Sequence, residues 1–232
     1  MKLYKFRSFT PFEYLADIFV HGRLFCSPYQ NLNDPFEGVF IALIPTDFGR
    51  GFGLNFGMGG TAELLRTVDD IDGDAIANKR VCSLSKSWTD VRMWSHYADG
   101  HRGVAIEIDF NGLEDEVREV QYIDSIEKFA SGILAESPDA GALLCRKTFH
   151  WDYEQEFRIL GSGEYFQIEG RIGKVYVGSR MPANHKNLLR QLLPLGTRLV
   201  DTELEKNDIT VRETHSRALD QGESVANKGN RR

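Results

Sequence analysis

Cysteine is scarce in this 232-residue chain: Cys26, Cys82 and Cys145 stand at wide, irregular spacing. An odd, scattered set of three excludes a disulfide-stapled scaffold and predicts buried, reduced thiols. C-x-x-C is absent, and the six histidines (His21, His96, His101, His150, His185, His215) show no zinc spacing. "DDIDGDAIANKR" lacks the glutamate that closes a calcium loop, so no metal site is predicted. G-x-S-x-G is missing, which argues against a nucleophile elbow. The glycine segment "FGRGFGLNFGMGG" (48–60) never satisfies G-x-G-x-x-G in register, and no P-loop lysine follows it; it reads as a loop or lid. Positive charge is in deficit, with 28 Lys and Arg against 34 Asp and Glu, a net −6. Overall attraction to nucleic acid or anionic lipid is therefore not expected. No apolar run reaches the length of a membrane span, and no charged-then-apolar leader opens the chain. The expectation is a soluble, cytoplasmic protein with no membrane partner.

What is present is bulk for a core: 41% hydrophobic residues, 15 phenylalanines and 8 tyrosines. "KLYKFRSF" alternates as a strand. "TPFEYLADIFVHGRL" predicts a helix, with Thr10 as cap, Pro11 in the first turn, Glu13 closing a capping box and Gly22 ending it. A helix is expected near Thr61, another from about Ile126 to Arg146, and a third over "NHKNLLRQLL" capped by Asn184. "RVCSLSKSW", "GVAIEIDF", "VQYID", "GRIGKVYVGS" and "DITVRETH" read as strands. Short strands between variable helices predict an α+β fold, a mixed and mainly antiparallel sheet core with helices packed on it. A single domain over 1–215 and a disordered tail over 216–232 are expected, the tail from its polar, aperiodic composition.

Four clusters carry possible chemistry. "NDPFEG" is a turn whose Asn33 and Asp34 precede Pro35; its structural role would be a corner in which Asp34 or Glu37 caps backbone amides. "MWSHYADGHRG" offers Trp94, Tyr97 and His101, either as core aromatics and packing residues or as walls of a ligand pocket. "VCSLSKS" puts Ser83 and Ser85 on one strand face, at a solvated edge or bracing a pocket. "WDYEQEFRIL", read as a strand, lines up Asp152, Glu154, Glu156 and Arg158 on one face. Such a row is a solvated face, or a buried one in which Glu154 and Glu156 raise each other's pKa while Arg158 holds them ionised.

"LYKFRSF", "NDPFEG", "MWSHYADGHRGVAIEID" and "KTFHWDYEQEFR", in that order, resemble a bacterial family known only as domain of unknown function 2971. A second resemblance concerns chemistry. Arginine on a first strand, serines on a middle strand and Glu-x-Glu on a later one are similar to the Arg–Ser–Glu order of ADP-ribosyltransferases. That resemblance implies NAD as substrate, with Arg7 on a phosphate or ribose and Ser83, with Ser85, bracing the pocket. It implies that Glu156 stabilises the ribosyl cation and that Glu154 activates the acceptor. Leu84 stands between the serines where a threonine would be expected, and NDPFEG and MWSHY belong to no such pattern.

Three function classes follow. The first is an ADP-ribosyltransferase-like enzyme that splits NAD and modifies an unknown intracellular target, in a toxin or phage-defence setting. The second is a non-enzymatic ligand-sensing or interaction module. The third is a nuclease-like hydrolase using Glu107, Glu154, Glu156 and a histidine. The first requires Arg7, Ser83, Glu107 or Glu154, and Glu156 to line one concavity, with Trp94, Tyr97 and His101 beside it.

Overall fold

A computed structural model describes residues 1–45, 61–71, 79–130 and 138–214. The glycine segment, most of the calcium-loop-like stretch and the C-terminal tail lie outside the described residues. In chain order the strands are β1 (Lys2–Arg7), β2 (Arg23–Phe25), β3 (Ser27–Pro28), β4 (Val39–Pro45), β5 (Thr61–Thr67), β6 (Arg80–Ser85), β7 (Val104–Asp109) and β8 (Val117–Glu119). They continue as β9 (Gln121–Ile123), β10 (Lys128–Ala130), β11 (Arg146–Thr148), β12 (Glu156–Gly161), β13 (Tyr165–Gln167), β14 (Ile172–Val177), β15 (Arg198–Glu205) and β16 (Thr210–Glu213). The helices are α1 (Phe12–His21), α2 (Val91–Tyr97), α3 (Ala140–Leu143) and α4 (Ala183–Leu192).

The fold is α+β. Its main sheet runs β16-β15-β14-β7-β1-β6-β12-β8, with β3 added on β6; its pairings are antiparallel except that of β14 with β15. A smaller sheet, β10-β4-β5, lies apart from it. Central β7 is buried from Val104 to Ile108, including Glu107, because both sheet faces are covered. On one face Leu3, Leu84, Ile106 and Phe157 pack against Leu15, Ile18 and Phe19 of α1 and Leu189 of α4. On the other, Phe6, Ala105 and Tyr176 pack against Met93 and Trp94 of α2. Alternation along each strand feeds the two layers.

Several local expectations give way. α1 starts after Pro11, with a cis Thr10–Pro11 bond and no side-chain cap, so Thr10 does not cap it. Gly22 does end α1 at φ 59, and a Cβ there would meet the Glu169 Cα at 2.9 Å. α4 begins after Pro182, which places Asn184 inside its first turn. The helix expected near Thr61 is instead β5, because all seven of its residues pair with β4, from Thr61↔Pro45 to Thr67↔Val39. Between Ile126 and Arg146, β10 pairs with β4 and β11 with β9, and only α3 is helical among the described residues.

Candidate functional site

The main sheet is split where β1 meets β6. These strands pair at one position, Tyr4↔Ser85, after which β3 takes over the β6 edge at Ser27↔Val81 and Pro28↔Arg80. Ser83 and Leu84 are left facing a gap. An unpaired strand edge inside a protein needs another partner, and Lys5 supplies one by donating Nζ–H to the Ser83 carbonyl at 2.7 Å. Burial pushes the Lys5 pKa down. A cavity of about 670 Å³ opens at this split. Its walls include Arg7, Ser83, Ser85, Asn33, Tyr97, Glu154 and Glu156, together with Tyr14 and Phe25.

Arg7 stands out by its lack of partners. Among the described residues its guanidinium makes no hydrogen bond or ion pair, and its Nε is buried without an acceptor. It lies 6.0 Å from the Tyr14 ring. A buried guanidinium nitrogen without an acceptor carries a desolvation cost that an anionic ligand would remove.

Across the cavity the acidic row is more elaborate than a strand face. Phe149–Glu154 forms 3₁₀ turns and Gln155 adopts φ 43, so the chain enters β12 only at Glu156. Ser85 fixes this turn by donating to the Glu154 carbonyl at 2.6 Å, while its oxygen accepts from the Ser87 N–H at 3.2 Å. Lys147, on β11, reaches Glu154 at 2.6 Å, Glu156 at 3.2 Å and Glu37 at 3.5 Å. Arg158 forks onto Glu156 through Nε at 2.8 Å and Nη2 at 3.0 Å, reaches Glu37 at 2.9 Å and donates to the Leu144 carbonyl at 2.6 Å. Glu37 faces both cations at ion-pair distance without an aligned hydrogen bond. All five side chains are at most 4% exposed.

Those partners push the carboxylates in opposite directions. Burial would raise Glu156, but the Arg158 guanidinium and the Lys147 ammonium outweigh it and hold Glu156 at about 2; Ser83 adds to the effect. For Glu154 burial wins over the same lysine and the Tyr97 hydroxyl, and its pKa is raised. Burial likewise raises Glu37. The site thus sets two neighbouring carboxylates apart, with Glu156 held as an anion and the proton affinity of Glu154 raised. Tyr97 donates its hydroxyl to Glu154 and accepts from the Asn33 amide, while the Asn33 carbonyl accepts from Lys147 at 3.3 Å.

Arg7, Ser83, Ser85, Asn33, Tyr97, Glu154 and Glu156 therefore share one hollow. Trp94, His101 and Asp34 do not line it. Trp94 is fully buried under β1, edge-on to Phe6 at 5.5 Å, and donates its indole N–H to the Trp88 carbonyl at 2.6 Å. His101 stacks on Trp94 at 6.0 Å, and burial lowers its pKa. Asp34 holds the NDPFEG corner by accepting from the Phe36 N–H at 3.0 Å and from the Thr148 N–H and hydroxyl at 3.1 and 3.0 Å. Glu107 belongs to a separate group, where Lys2 donates to it at 2.8 Å and the Tyr176 hydroxyl lies at 3.4 Å.

Lys147 is the member that sequence reasoning missed. Its clue was available, a lysine in "RKTFHW" between the buried Cys145 and a run of aromatics, where a solvated side chain would be out of place. Among the described residues no three His, Cys, Asp or Glu side chains group as metal ligands would, and no helix is long and apolar enough to cross a membrane.

Residues 93–129 match the model of a family described as "Protein of unknown function (DUF2971)", which bears out the resemblance read from "MWSHYADGHRGVAIEID". No curated protein and no solved structure matches the chain significantly.

Proposed function

Starting from a family whose description assigns no activity, we propose that the cavity binds NAD and cleaves its nicotinamide glycosidic bond. The ADP-ribosyl group then passes to an acceptor nucleophile inside the cytoplasm. One observation carries the reading: an unpaired arginine and an ionised carboxylate face one hollow from β1 and β12, with β6 and its serines between them. Arg7 grips the pyrophosphate, for which a guanidinium is suited by its forked donors. The C1′–N bond breaks with its electron pair leaving on neutral nicotinamide, and the ribosyl carbon becomes oxocarbenium-like. Glu156, ionised at any physiological pH, supplies the fixed negative charge. Such a preorganised electrostatic contact is worth about 3–4 kcal/mol at the transition state. As the C1′–N bond breaks, the acceptor bonds to C1′ and its proton passes to Glu154, whose raised pKa suits a base, so that loss of this base slows release itself.

Incubation with NAD, with released nicotinamide measured by chromatography, tests this directly. Glu154→Gln and Arg7→Ala should each reduce release by about 10²-fold or more. Absence of release by the unaltered protein, across a panel of acceptors and with water alone, rejects the proposal. A toxin or phage-defence setting adds the expectation that expression slows growth and that Glu154→Gln relieves it.

A second reading has an observation of its own. The oxygens of Glu154 and Glu156 are already engaged by Lys147, Arg158 and Tyr97, which suits a cavity that senses a ligand without chemistry. A thermal shift with NAD and no nicotinamide release would favour it.

A further inference from the structure

We infer that a second, smaller cavity next to the first is a purine subsite, so that the full site takes a purine nucleoside diphosphate moiety. This deepens the reading above and rests on it for the nicotinamide half. The second cavity, about 180 Å³, is lined by Arg7, Glu13, Tyr14, Asp17, Ile18, Phe25 and Tyr165. Arg7, Tyr14 and Phe25 line both cavities, so the unpaired guanidinium stands at their junction. A ligand that fills both hollows must carry its anionic part there and a compact group on either side.

The chemistry of the smaller hollow selects that group. Its walls are aromatic: Tyr14 and Phe25 lie 6.5 Å apart, and Phe25 meets Tyr165 at 5.8 Å and 67°. Buried Ile18 closes it with an apolar side chain. Flat apolar walls of this kind accept the face of a heteroaromatic base. The rim is acidic. Arg23 donates to both oxygens of Asp17 at 2.8 to 3.1 Å and lies over the Tyr165 ring at 3.8 Å, which fixes both residues. Asp17 is engaged by Arg23, which leaves Glu13 as the open acceptor at the rim; a carboxylate accepts hydrogen bonds and cannot donate them, so Glu13 favours a base with an exocyclic amino group. Phosphate is directed to Arg7, and an amino-bearing purine to the aromatic hollow.

Calorimetric titration of the intact protein with ADP tests the subsite without requiring turnover. ADP should bind, IDP (which lacks the amino group) should bind several-fold more weakly, and inorganic pyrophosphate should bind about tenfold more weakly or worse. Tyr165→Ala should weaken ADP about tenfold and leave pyrophosphate unchanged. Tyr165→Phe, which keeps the ring, should restore ADP binding and controls for folding. Failure of ADP to bind, ADP no tighter than pyrophosphate, or equal ADP affinity in Tyr165→Ala overturns the inference. Nicotinamide release from NAD reports on the other reading separately. ADP binding without release removes the glycosidic chemistry and keeps the subsite; release with no effect of Tyr165→Ala on the KM for NAD removes the subsite and keeps the chemistry.

Discussion

Replacing Glu156 by glutamine should unfold the protein more readily before it tells anything about catalysis. The side chain is 3% exposed and neutralises part of two buried cations, Arg158 and Lys147. Its fall from 4.5 to about 2 corresponds, at about 1.4 kcal/mol per tenfold change in affinity for a proton, to about 3 kcal/mol of stabilisation at neutral pH. The amide would also turn a donor toward Arg158 and Lys147, which are themselves donors, so neutral shape alone does not rescue the site. For a domain of this size about 3 kcal/mol is a fall in Tm of about 6–12 °C. Urea unfolding of Glu156→Gln and the parent at neutral pH measures the difference.

Acid adds a second readout. A depressed folded pKa contributes stability above the unfolded value, lost as pH falls from 4.5 toward 2. That part of the acid slope should be missing from Glu156→Gln. Glu37 and Glu154 run the other way: their folded pKa values are raised, so their contribution weakens as pH climbs from 4.5 through those values. Equal stability of mutant and parent to within about 1 kcal/mol, with equal acid slopes, would refute the account of the cluster. It follows that Arg7 and Glu154 variants, not Glu156 variants, are the cleaner probes of activity.

Further outcomes follow from particular contacts. If Glu154 is the base, nicotinamide release should decline as pH falls through a value above the ordinary carboxylate range, and Glu154→Gln should abolish that limb of the pH–rate profile. Trp94→Ala should cost about 3–5 kcal/mol in urea unfolding, since the ring is fully buried, while Trp94→Phe, though it loses the bond to Trp88, should leave ligand affinity unchanged. Asp34→Ala should destabilise by about 1–3 kcal/mol by releasing the Thr148 and Phe36 amides, again by denaturation. Gly22→Ala should lower Tm measurably, because φ 59 and the Glu169 backbone leave no room for a Cβ.

How far the sequence reveals this molecule depends on how local the signal is. The strand "GVAIEIDF" and the end of α1 at Gly22 are legible because alternation and a left-handed glycine are short-range facts. Thr61–Thr67 is not: "TAELLRT" is rich in helix formers, and only its pairing with β4, contributed by a distant stretch, makes it a strand. The row of carboxylates in "WDYEQEFRIL" was visible as charge, but its meaning was hidden. Burial of Glu154 and Glu156 depends on Lys147, Glu37 and the break at Gln155, none of which follows from period-two alternation. Trp94 and His101 show the reverse case. The aromatic cluster was apparent, yet which of its faces pointed to a ligand depended on the packing of α2 under β1, which left Tyr97 at the cavity and Trp94 inside the core.

The hollow is cut into one sheet, and this limits how it can work. Tyr4↔Ser85 pins one end of the gap, β3 closes the other, and Lys5 spans the middle as a strut. Among the described residues the aperture is thus framed by strand pairing at both ends and a side-chain hydrogen bond between them. A frame of this kind sets the shape of the hollow before a ligand arrives, and side-chain rotation at the rim is the fast motion available to adjust it. Substituting Lys5 with methionine would keep the stem, remove the crossbar and leave the carbonyl of Ser83 without its donor.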